Sequence, residues 1–120
     1  MIAKYVSEGS QPVINGDGTQ SRDFTYVKNA ILANELALFS DNPQALNQVY
    51  NVACGEQTTL NEMVEVLNDV SGKSMQPIYG PQRAGDVKHS KADIDKISKQ
   101  LGYEPEVFVK DGIARIYEWY

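Results

Sequence analysis

Cysteine, histidine, arginine and cationic charge are all scarce in this chain, and each scarcity closes off a class of function. A single cysteine, Cys54, cannot close an internal disulfide. With one histidine, His89, neither a multi-histidine metal site nor a zinc-type Cys/His spacing can be assembled. No apolar run has the length needed to span a bilayer and no signal-peptide pattern is present, so the expected compartment is the cytoplasm. The 11 lysines and arginines are outnumbered by 16 aspartates and glutamates, which leaves a net charge of −5. Such a field excludes nucleic acid and anionic membrane as expected partners, and any anion site must be local. A dinucleotide fingerprint is also incomplete, because Gly16-x-Gly18 is followed by Ser21 where the third glycine belongs.

What is present is a globular composition: 120 residues, 42% of them hydrophobic, enough for one domain spanning 1–120 with a modest core. The spacing of Ile2, Tyr5 and Val6 predicts a helix ending at Gly9 with no start signal of its own. Short strands are expected at Pro12 to Asn15 and Phe24 to Val27, separated by the Gly16-Asp17-Gly18 turn. Asn29 is expected to cap a helix from Ala30 to Phe39 that is apolar nearly all round and therefore buried on most sides. Val49 to Ala53 predicts a strand inside a sheet. Thr59 and Glu62 form a capping box for a helix whose face is Leu60, Met63, Val64, Leu67 and Val70, with Gly72 as its stop. After an extended Pro77-Ile78-Tyr79, Ser90 and Asp93 resemble a second capping box, with Ile94, Ile97 and Leu101 on one face and Gly102 as terminator. Val107 and Val109 alternate as a brief strand, and Ile113, Ile116, Tyr117 and Tyr120 make the face of a closing helix. Helices alternating with short strands define an α/β arrangement, but one whose apolar helix needs covering from elsewhere.

Only three arginines exist, and two of them, Arg22 and Arg83, sit in glycine-containing turns. A guanidinium presents a planar fork to a phosphate, and glycines beside it let backbone N–H groups approach without a Cβ in the way. Taken singly, each arginine reads better as an ordinary loop residue than as a phosphate ligand. Asp86 reads either as an acceptor for a ribose hydroxyl or as a turn-former after Gly85. Asp17 reads as a turn-former, Asp23 either as an orienter of Arg22 or as a solvated carboxylate, His89 as a loop residue, and Cys54 as a small buried hydrophobe. Trp119 and the tyrosines near the end fit a helix face better than a stacking platform.

Taken in order, Ile14-Asn15-Gly16-Asp17-Gly18, Gln20-Ser21-Arg22-Asp23-Phe24-Thr25-Tyr26-Val27, Val49-Tyr50-Asn51-Val52, Thr59-Leu60-Asn61-Glu62, Arg83-Ala84-Gly85-Asp86-Val87 and Leu101-Gly102-Tyr103-Glu104-Pro105 cover nearly the whole chain. This series resembles the C-terminal portion of the extended Rossmann-type short-chain dehydrogenase/reductase superfamily, in its NAD-dependent nucleotide-sugar epimerase/dehydratase branch, nearest to the UDP-glucose and UDP-N-acetylglucosamine 4-epimerases. The resemblance implies that Arg22 and Arg83 contact the nucleotide phosphates, that Asp86 holds the ribose, and that Ser90 helps set the size of the sugar pocket. A small residue there favours an N-acetylhexosamine. The family usually has aspartate where this chain has Asn29, and a helix cap tolerates the exchange. The family's glycine-rich NAD site and its Tyr-x-x-x-Lys pair are absent here, since no tyrosine has a lysine four residues later.

The reading is therefore the substrate-binding part of a UDP-sugar 4-epimerase, lacking the N-terminal NAD-binding half and inactive as an isolated chain. NAD is implied for the intact parent, with none expected on this chain alone. The implied partners are a UDP-sugar, the missing half and, through uncovered faces, other copies of the chain. A nucleotide-sugar dehydratase or decarboxylase is the alternative enzyme, and a non-catalytic sugar-nucleotide-binding module the alternative outside enzymes.

Overall fold

The computed structural model describes residues 2–119, so the Tyr120 position expected on the closing helix lies outside the described residues. The capping signal at Thr59 folds as its sequence predicts. Thr59 Oγ1 accepts the Glu62 amide at 3.1 Å, and the Glu62 carboxylate accepts the Thr59 amide at 2.7 Å. Helix α3 then runs Leu60–Ser71 and ends at Gly72, whose φ of +66° suits the left-handed cap. Its apolar face meets helices α1 (Ile2–Ser7) and α5 (Val109–Trp119). Val6, Leu67 and Ile113 are the buried centre of that cluster, with Met63, Val66 and Tyr117 packed round them. Trp119 lies on α5, as a helix-face residue rather than a stacking platform, and is exposed.

A second core forms separately. Helix α2 (Val27–Leu38) packs on α4 (Asp95–Leu101), with a single 3-10 turn at Pro43–Ala45 beside them. Ala33, Ala45, Ile97, Leu101 and Tyr103 are buried at its centre. Burying each of the larger side chains stabilises by about 1.5–3 kcal/mol, so neither cluster alone is a substantial core. The molecule is correspondingly thin, 50 × 33 × 15 Å, with a radius of gyration of 16.6 Å. A compact chain of this length has about 14 Å.

Strands are short and come in pairs. β1 (Val13–Asn15) runs parallel to β4 (Ile78–Gly80), matching Ile14 with Tyr79, and β2 (Ser21–Arg22) runs antiparallel to β3 (Thr58–Thr59). Three expected strands do not form among the described residues. Phe24 to Val27 has no neighbouring strand: Tyr26 is extended but its carbonyl accepts the Asn29 amide at 3.0 Å, so the chain is already turning into α2, which starts at Val27 rather than Ala30. Val49 to Ala53 has the right residues but no partner, and Val49 is 86% exposed. At Val107 both backbone groups are taken by the Asn29 side chain, and Val109 opens α5.

Asn29 is thus not a helix cap. It lies inside the first turn of α2, fully buried, with Nδ2 donating to Val107 O at 2.7 Å and Oδ1 accepting the Glu106 and Val107 amides at 3.0 and 3.1 Å. It pins the segment leading into α5 onto α2, and so joins the two cores. Nor do Ser90 and Asp93 make a capping box. The Ser90 amide is used elsewhere, Asp93 Oδ1 accepts the Asp95 amide at 2.9 Å, and α4 begins only at Asp95. The expected burial of α2 is also unmet among the described residues: Ile31 and Leu38 are exposed along it, and Phe39 just beyond it.

Candidate functional site

The two arginine turns meet at β2. This strand is only two residues long, yet it is held on both edges. On one side lies β3, and on the other the Ser21 amide donates to Lys88 O at 2.9 Å while the Ser90 amide donates to Ser21 O at 3.1 Å. Ser21, 4% exposed, adds a hydrogen bond between its Oγ and His89 Nδ1 at 2.9 Å. A segment 68 residues away is thereby stitched beside Arg22. The Arg22 guanidinium is fixed by the same strand edges: Nη1 donates to Ser21 O at 2.7 Å and to Lys88 O at 3.5 Å, while Nη2 meets Asp86 Oδ1 at 2.5 Å.

Arg83 stands in an exposed turn, closed by the Asp86 amide donating to Arg83 O at 3.3 Å, with Gly85 at φ +79°. None of the ion pairs among the described residues involves its side chain. Ser90 is exposed next to these groups, tied by its amide to Ser21. Of the four residues proposed from sequence, the structure therefore brings Arg22 and Asp86 into contact and puts Ser90 on the strand edge beside them. Arg83 it places at the other end of the Asp86 turn. An apolar cleft of about 160 Å³ lies elsewhere, between Phe24, Tyr26, Met63, Phe108 and Ile116, and takes in none of the four.

The glycine turn has a different job from the one its composition suggests. Gly18 is buried at φ +76°, and a Cβ there would lie 2.0 Å from Asn61 Oδ1. Asn61 is locked into place by donating its amides to Gly18 O and Asp17 O, both at 3.1 Å, and by the Tyr79 hydroxyl at 2.9 Å. Gly18 is needed to let the turn lie on the start of α3. Asp17 is the turn-former expected: its carboxylate accepts the Thr19 hydroxyl at 2.7 Å and amide at 3.0 Å, and the hydroxyl above all holds its pKa below the usual value. Asp23 neither orients Arg22 nor sits in solvent. Its two oxygens accept the Cys54 and Gly55 amides at 3.0 and 2.9 Å. Cys54 is buried as expected, and that burial pushes its thiol pKa up, which keeps it an unreactive thiol.

These residues do not fit a dinucleotide. A pyrophosphate cradle needs open backbone at a glycine turn leading into a helix. Here the backbone at Gly18 is covered by Asn61, and the chain after it enters β2 rather than a helix. Ser21, Lys88 and His89 join the site through backbone groups or over a long separation, and no local pattern marks that role.

A family model described as GDP-mannose 4,6 dehydratase matches residues 1–116. A UDP-glucuronate 4-epimerase of Thermodesulfobacterium geofontis is 32% identical over 117 residues, covering 97% of this chain and 35% of that protein. Among solved structures, UDP-glucuronic acid 4-epimerase from Bacillus cereus, in complex with UDP-glucuronic acid and NAD, has a TM-score of 0.90 at 33% identity over 98% of this chain and 37% of its own. UDP-N-acetylglucosamine 4-epimerase from Methanobrevibacter ruminantium, in complex with UDP-N-acetylmuramic acid, has a TM-score of 0.88 at 36% identity, with the same coverage of 98% and 37%. The fold is that of the extended short-chain dehydrogenase/reductases. The chain belongs to their NAD-dependent nucleotide-sugar epimerase/dehydratase family, matches the C-terminal part of that fold, and spans about a third of the length of these relatives.

Proposed function

We propose that this chain forms the UDP-sugar-binding side of an NAD-dependent 4-epimerase. Arg22 and Arg83 engage the diphosphate, Asp86 the ribose, and Ser90 lies beside the sugar. The observation that carries the reading is the joining of two turns 64 residues apart, so that Arg22, Asp86 and the strand edge at Ser90 share one surface. Arg22 is held by backbone carbonyls rather than left as a free surface side chain, which lowers the ordering cost of recognising a diphosphate. In a chain of net charge −5, the Arg22 turn is where an anion finds a fixed donor. Ser90 leaves room for an N-acetyl group, which favours UDP-N-acetylhexosamines.

NAD and the groups that move protons and hydride belong, on this reading, to the part of the relatives that these 120 residues do not span, and the chain alone turns over no substrate. That remainder also supplies the cover for Ile31, Leu38, Phe39 and Val49, and without it those exposed side chains drive self-association. Among the described residues no helix is long and apolar enough to cross a membrane, and the cytoplasm is the proposed site of action.

Calorimetry tests the clamp. UDP binds the wild-type chain, and Arg22→Ala or Arg83→Ala each weakens it about tenfold or more, as loss of a charge-assisted contact of about 1.5–3 kcal/mol requires. Unchanged affinity in both variants would remove the clamp. Because the matching family model bears a dehydratase's name, 4,6-dehydration is the second reading, and a 4-keto-6-deoxy product from the full-length parent would establish it.

A further inference from the structure

Arg22 has a charged partner before any ligand arrives. Its Nη1 is committed to the carbonyls of Ser21 and Lys88, both within paired backbone, so the guanidinium is held from behind. Its Nη2 is capped by Asp86, which stands in the exposed 83–86 turn behind Gly85, at which an added Cβ would meet nothing within 4 Å. The two halves of this ion pair are therefore unequal: Arg22 is anchored, and Asp86 is the half able to swing. The side chains are 30% and 34% exposed, so an incoming anion can compete for Arg22, and the pair has the modest strength of a surface bridge.

We propose that Asp86 is a specificity-determining residue, whose carboxylate screens Arg22 against small inorganic anions and releases it to ligands that bring hydroxyl donors of their own. The proposal rests on the nucleotide-binding assignment above and extends it. A phosphate or diphosphate that displaces Asp86 leaves a carboxylate beside a second anion with only water to bond to, and like charges so placed repel. A nucleoside diphosphate presents the same anion together with a ribose, whose hydroxyls give the displaced carboxylate new donors. The neighbouring cations, Arg83 and Lys88, soften the repulsion without supplying hydroxyl chemistry. Selectivity for nucleotide over bare diphosphate then comes from one carboxylate with two alternative partners.

The test measures inorganic pyrophosphate and UDP binding to the 120-residue chain as wild type, Asp86→Asn, Asp86→Ala, Arg22→Ala and the Arg22→Ala/Asp86→Asn double variant, with circular dichroism as the check on folding. Both Asp86 variants are expected to bind pyrophosphate about two- to fivefold more tightly than wild type, the range set by an exposed ion pair. Their preference for UDP over pyrophosphate narrows accordingly. In the Arg22→Ala background the gain from Asp86→Asn is smaller than in the wild type, because the part of the screen that acts through Arg22 is already gone. Pyrophosphate affinity unchanged or reduced in both Asp86 variants overturns the inference while UDP binding by the wild type still upholds the nucleotide site. A gain in pyrophosphate affinity with no UDP binding by the wild type does the reverse: it upholds the screen and overturns the nucleotide reading.

Discussion

Replacing Asn29 by alanine is predicted to cost about 2–4 kcal/mol, a large share of the roughly 5–15 kcal/mol typical of a domain. The side chain is fully buried and makes hydrogen bonds to Val107 O at 2.7 Å, from the Val107 amide at 3.1 Å, from the Glu106 amide at 3.0 Å and to Cys54 Sγ at 3.3 Å. Truncation leaves the Val107 N–H without a partner in a buried setting, at a cost of about 1–3 kcal/mol. Among the described residues the Val107 carbonyl loses its amide donor and keeps the Cys54 thiol at 3.7 Å, a weak substitute. The Glu106 amide is only part-buried and can turn to water, so it contributes less. Urea unfolding reads the difference as a lower midpoint at constant slope. Asn34→Ala is the control on the same helix, since Asn34 is exposed and its side chain bonds back to Ala30 O at 2.7 Å. If Asn29→Ala unfolds within about 0.5 kcal/mol of Asn34→Ala, a spread expected of ordinary surface changes, the junction role is wrong.

Gly18→Ala forces a non-glycine residue to φ +76° and places its Cβ 2.0 Å from Asn61 Oδ1, whereas Gly72→Ala, at φ +66°, meets nothing within 4 Å. The first should destabilise by about 2–4 kcal/mol and the second by about 1–2 kcal/mol, and equal melting temperatures for the two would refute the close approach. The Thr59 amide and then its hydroxyl hold the Glu62 carboxyl below its ordinary value of 4.5. A depressed folded value means that the stabilisation is complete above about 4.5 and is lost as pH falls through the folded value. The stability gap between wild type and Glu62→Gln should therefore shrink on going from neutral pH to pH ~3, and a gap that widens in acid would contradict the sign.

What could be read in the sequence was what is settled within a few residues. The capping box of α3 needs only Thr59 and Glu62, and Gly72 and Gly102 both stop their helices in the left-handed conformation expected of them. Asn29 defeats the same logic, because its partners lie 77 and 78 residues away and outcompete a local cap. Val49 to Ala53 and Phe24 to Val27 have strand-forming composition, but a strand also needs an edge to pair with, and none is offered among the described residues. Conversely Ser21–Arg22 is too short to stand out, and is a strand only because Thr58–Thr59 and Lys88–Ser90 flank it. Arg22 and Arg83 were legible as candidates from their turns. The engagement of Arg22 by Asp86 was not, since opposite charges 64 residues apart leave no pattern along the chain.

The decisive question is where a UDP-sugar binds. Titrating UDP-N-acetylglucosamine into the isotope-labelled chain and following its backbone amide resonances locates the contact residue by residue. The largest shifts are expected at Ser21, Arg22 and residues 83–90, and they are abolished in Arg22→Ala. Shifts confined to the cleft between Met63, Phe108 and Ile116, or none at saturating ligand, would contradict the proposed site.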